Sequence, residues 1–82
     1  MVILAIRDVK AGIFRTPHIA LAKGSAIRDF GDSVNNKESY LNAHPEDYQL
    51  FYFGNFDEQS GKILIEDVPL LLCSASDFVK KE

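Results

Sequence analysis

Hydrophobic and polar positions change period several times along this chain, and each change marks an element. Met1 to Ile6 is almost continuously apolar and rich in branched residues, which predicts a strand buried on both faces or lying at a sheet centre. Arg7 and Asp8 close it. Lys10 to Thr16 carries Gly12 and reads as a connection with Phe14 as its inward anchor, and Pro17 opens a second extended run, His18 to Ala22. Ile27, Phe30, Gly31 and Val34 then recur at i, i+3, i+4 and i+7, one face of a helix. Ser25 is its expected N-cap, and Gly31 is expected to let it approach the sheet closely. Asn35-Asn36 is its stop, since Asn tolerates the left-handed conformation of a C-cap. Tyr40 and Leu41 plug the following loop or single helical turn onto the body.

His44-Pro45 disfavours helix and leads into an aromatic strand. Strand alternation puts Tyr48, Leu50 and Tyr52 on one face and Gln49, Phe51 and Phe53 on the other. Gly54 to Gly61 is the expected turn, with Phe56 tucked in, and Lys62 to Glu66 alternates as the return strand. Pro69 is expected to break that strand from a last apolar run, Leu70 to Cys73, which reads equally as edge strand or short helical turn. From about Ser74 the chain fades into charge, with Phe78 and Val79 left to dock a flexible tail. The whole predicts one α+β domain over residues 1–82: a mostly antiparallel sheet of four or five strands with one main helix, an OB-like barrel being the alternative.

The hairpin carries more aromatic area than two strands need for mutual packing. These rings either form the core beneath the helix, offer a stacking platform for single-stranded bases, or cover a second copy in a homo-oligomer. Charge bears on the choice. The net charge is −3, yet up to Arg28 there are five basic residues against one acid, and beyond it four against eleven. A basic N-terminal third can hold phosphate on an acidic protein. The candidate nucleic-acid contacts are therefore Arg7, Lys10, Arg15, Lys23 and Arg28 for phosphates, with Tyr48, Tyr52 and Phe53 for bases.

Catalytic and metal motifs are not found. His18 and His44 sit in no nucleophile or ligand pattern, so no cofactor is expected, and His44-Pro45-Glu46-Asp47 reads better as a strand-entry turn than as an acid-base cluster. Lys23-Gly24-Ser25 lacks the earlier glycine of a phosphate loop, and residues 57–61 lack the alternating ligands of a calcium loop. The lone Cys73 lies in an apolar run and reads as a small hydrophobe. No leader or membrane span is read from the sequence, which points to a reducing cytoplasm.

Arg7-Asp8-Val9-Lys10-Ala11, Phe14, Pro17, Ala26-Ile27-Arg28-Asp29-Phe30, Val34-Asn35 and His44-Pro45-Glu46-Asp47-Tyr48-Gln49-Leu50 together resemble a small nonstructural protein of the Microviridae, nearest the gokushoviruses. Gly54-Asn55-Phe56-Asp57 and Gly61 resemble that family's turn. The resemblance implies a bacteriophage protein of the host cytoplasm, absent from the mature virion, and the thin catalytic inventory adds the expectation that it is not an enzyme. It implies a role on the phage genome, in the switch from replication to single-strand synthesis and packaging. The expected partner is single-stranded DNA. The alternative is a homo-oligomeric adaptor contacting the replication initiator or procapsid without touching DNA.

Overall fold

The apolar N-terminal run forms the strand on which the sheet is built. In a computed structural model describing residues 1–79, the elements are β1 (Val2–Asp8), β2 (Ile13–Phe14), β3 (His18–Ala20), α1 (Lys23–Val34), α2 (Tyr40–Ala43), β4 (Tyr48–Phe56) and β5 (Ile63–Ser74). Single 3-10 turns cover Pro45–Asp47 and Ala75–Phe78. All pairings are antiparallel and the sheet is open, in the order β2-β1-β4-β5 with β3 also on β1. β1 is thus the central strand the sequence predicts. The barrel alternative is excluded, because β5 and the edge formed by β2 and β3 are not joined.

The core lies between one sheet face and α1. Leu4 and Leu50 from the sheet meet Phe30 and Val34 of α1 and Leu41 of α2, all buried. The buried residues Ala26, Phe30, Gly31 and Val34 fall on the helical face read from the sequence, while Ile27 is only partly covered. Burial of this stripe, rather than intrinsic propensity, holds a helix of 12 residues.

Several local expectations change. α1 starts at Lys23, two residues before its predicted cap. Ser25 instead lies inside the first turn, accepting from the Ala22 amide at 3.2 Å and donating to its carbonyl at 2.9 Å. At the other end Asn35 caps with φ −88°, outside the left-handed region, and its side-chain amide donates to the Gly31 carbonyl at 3.1 Å. Gly31 makes room not for the sheet but for Phe78, whose ring would lie 2.7 Å from an added Cβ. Phe78 therefore docks as expected, edge-on to Phe30, and Ala75 is fully buried beside it. The predicted loose segment is thus packed through Phe78, and its last part, residues 80–82, lies outside the described residues.

Pro69 does not end the return strand. β5 runs through it by bulging: Tyr52 pairs with Leu70 and Gly54 with Ile65, so residues 66–69 stand against Phe53 alone. On the other edge Leu4 pairs with Tyr52 and Ile3 with Gly54, which leaves Phe53 unmatched there too. A bulge accommodates a residue without an amide donor where a regular central ladder would not.

Candidate nucleic-acid interface

α1 covers one face of the sheet, and the opposite face carries the aromatic cluster. Directly paired residues share a face, so the pairs Arg7 with Phe14, Ala5 with Phe51, and Phe51 with Leu71 mark out the uncovered side. Phe14 stands edge-on to Phe51 and to Phe53, with ring centroids 5.3 Å apart in both pairs. The Arg7 guanidinium lies 4.8 Å from the Phe14 centroid. Ala5, almost completely buried, occupies the position opposite Phe51, where a larger side chain would compete with these rings for space. Each edge-on pair adds about 0.5–1.5 kcal/mol beyond area burial, so the rings hold one another in place.

The residues predicted to bind nucleic acid separate in space. Phe53 and Arg7 come together on the uncovered face. Tyr52 does not join them: as its neighbour on an alternating strand it faces α1, is 3% exposed, and has the Lys23 ammonium 4.2 Å from its ring centroid. A buried ring cannot act as a stacking platform, so Tyr52 is a core residue. Tyr48 is half-buried and packs edge-on against Tyr40 at 4.9 Å, with the Arg15 guanidinium 4.5 Å from the Tyr40 centroid. Partial burial and the nearby Asp8 carboxylate push the Tyr48 hydroxyl above its ordinary pKa, so it stays neutral. Arg28 is exposed on α1.

Lys10 lines a cleft of about 390 Å³ with Asp8, His44, Glu46, Asp47 and Tyr48, an acidic setting unfavourable to phosphate. His44, Glu46 and Asp47 place ligating atoms within 4.8 Å of one another. The backbone explains that closeness: the Asp47 amide donates to the His44 carbonyl at 3.0 Å, and the Val9 amide donates to the Asp47 carbonyl at 2.8 Å. The segment acts as the strand-entry turn read from the sequence, tying the end of β1 to the start of β4.

Phe14 and Phe51 belong to the cluster although neither was a predicted contact. Phe51 was detectable, since it alternates with Phe53. Phe14 was read as an inward anchor, and only its pairing opposite Arg7 turns it outward, where it is 38% exposed.

Cys73 lies across from Leu50, and burial, with Asp77 adding to it, raises its thiol from 9.0 to about 11. At pH 8 its thiolate fraction falls about 100-fold, so iodoacetamide should alkylate the native protein about 100 times more slowly than the urea-unfolded chain. The raised value also has a sign for stability. The neutral thiol is favoured in the fold, so this contribution is intact below about pH 9 and is lost progressively from there toward pH 11.

Among the described residues no helix is long and apolar enough to cross a membrane. No curated protein and no solved structure matches the chain. A family described as phage ORF5 protein matches residues 1–78, nearly the full length. That match takes in the aromatic hairpin, the central strand and the helix together, and the chain belongs to the phage ORF5 protein family.

Proposed function

We propose that this phage protein is a nonenzymatic, gokushovirus-type factor that binds single-stranded DNA on the uncovered sheet face. The observation that carries the reading is the ordered trio Phe14, Phe51 and Phe53 with Arg7 beside it. Aromatic rings on a sheet face accept successive bases without regard to sequence, and a guanidinium at the rim supplies a phosphate contact and a cation–π partner. Single strands are favoured over duplex because only unpaired bases offer their faces. Binding of this kind suits the switch from replication to single-strand synthesis and packaging that the Microviridae resemblance implies, in the host cytoplasm and outside the mature virion.

Fluorescence anisotropy with a labelled oligothymidylate and its duplex, over a salt series, tests this. Single-stranded DNA should bind with an affinity that falls as salt rises. Phe53→Ala should weaken it by about 1–3 kcal/mol, roughly 5- to 150-fold, while circular dichroism shows the fold intact. Binding that ignores both salt and Phe53→Ala would overturn the reading. Recovery of a phage initiator or procapsid protein from nuclease-treated infected cells, with no DNA binding by the pure protein, would establish the adaptor role in its place.

A further inference from the structure

We propose that two copies of this chain pair edge to edge through β5, antiparallel about a two-fold axis at Leu64, so that Lys62 of each meets Glu66 of the other. β5 is the last strand of the sheet and its outer edge is unpaired among the described residues. Such an edge is an open template for another strand unless it is blunted. Here the blunting lies beyond Glu66: Asp67 and Pro69, which lacks a donor, sit in the bulge between Ile65 and Leu70. Residues 63–65 have none of these protections.

The unprotected part of the edge is apolar and exposed. Ile63, Leu64 and Ile65 are each between 58% and 66% exposed. Three large, exposed apolar side chains in a row on an open strand edge are more than the scattered apolar residues of an ordinary surface.

The occupant follows from the sequence of the edge itself. Lys62-Ile63-Leu64-Ile65-Glu66 reads positive, three apolar residues, negative, and Lys62 and Glu66 are both exposed. A two-fold axis normal to a sheet requires one residue of the edge strand to face its own copy. With Leu64 on the axis, Ile63 faces Ile65 of the copy and Lys62 faces Glu66, each pair occurring twice. Moving the axis to Ile65 sets Leu64 against Glu66, and moving it to Glu66 sets two carboxylates face to face. With the axis at Ile63, Lys62 faces Leu64. Opposite charges directly across a ladder stabilise it and like charges destabilise it, so one register is selected. The pairing is independent of DNA binding, since it uses the strand edge and leaves Phe14, Phe51 and Phe53 on the face.

Sedimentation velocity on the full chain at about 0.1 M salt, where charge pairs are not fully screened, tests the proposal. The wild type should sediment as a dimer. Glu66→Lys and Lys62→Glu should each weaken it at least about tenfold, since two attractive pairs become repulsive, and the combined exchange should restore it. In a Cys73→Ser background, Leu64→Cys should oxidise to a covalent dimer and Ile65→Cys should not. A monomeric wild type at about 100 μM, well above the dissociation constants of stable dimers, would overturn the proposal. So would single exchanges without effect, a double exchange no better than the singles, or crosslinking at Ile65→Cys in preference to Leu64→Cys.

Discussion

Gly54→Ala should lower the stability of the protein by about 3 kcal/mol or more, a large share of the roughly 4–12 kcal/mol expected for a domain of this length. The cause is backbone proximity. A Cβ at Gly54 would overlap the carbonyl oxygen of Leu64 and lie 2.9 Å from the Ile65 Cα. Both are main-chain atoms of the paired strand, so no rotamer change can move them aside. Gly54 is also held from its other edge by Ile3, which prevents β4 from backing away. Gly12 and Gly61 provide the control. They adopt φ of 73° and 76° in turns, but an added Cβ would meet nothing within 4 Å. Alanine there should cost only about 1–2 kcal/mol, the conformational penalty of the left-handed region. Urea denaturation followed by circular dichroism ranks the three variants, and a Gly54→Ala midpoint no lower than those of the two controls would refute the backbone argument.

The same crossing explains what could and could not be read from the chain. β1, α1 and the aromatic strand were legible because their signals are local: a continuous apolar run, a 3.6-residue stripe ending in Phe30 and Val34, and alternation from Tyr48 to Phe53. Pro69 misled because a proline says only that an amide is missing, while the bulge that tolerates it depends on Phe53, far away in sequence. Phe14 misled for a related reason. A two-residue strand has no period, and the face it shows is fixed by Arg7 across the ladder. The uneven charge along the sequence did not become one basic surface, because Arg15 and Lys23 settle over Tyr40 and Tyr52 on the helix side while Arg7 goes to the other. The aromatic face was half legible: Phe53 was named, its alternate partner Phe51 was not, and Tyr52 lies on the opposite, buried face.

Leu4→Ala should cost about 2–5 kcal/mol, and near the upper end, because the site has little freedom to collapse. Leu4 is fully buried, and its backbone is fixed by His18 on one edge and Tyr52 on the other. Neither neighbouring strand can move in to fill the space without breaking a ladder. Leu64→Ala removes the same atoms from a residue 66% exposed, so the isolated subunit should lose only about 0.5 kcal/mol or less. The two variants differ in kind as well as in size. Loss at Leu4 is a property of one chain and should be the same at every protein concentration. Loss at Leu64, if the edge of β5 pairs with its copy, belongs to the association and enters apparent stability by mass action. Thermal unfolding of both variants over a hundredfold range of concentration therefore separates core from interface. The Leu4→Ala deficit should stay constant, and the Leu64→Ala deficit should widen as the wild type is driven to dimer; a Leu64→Ala deficit that stays flat would mean that Leu64 contributes nothing to association.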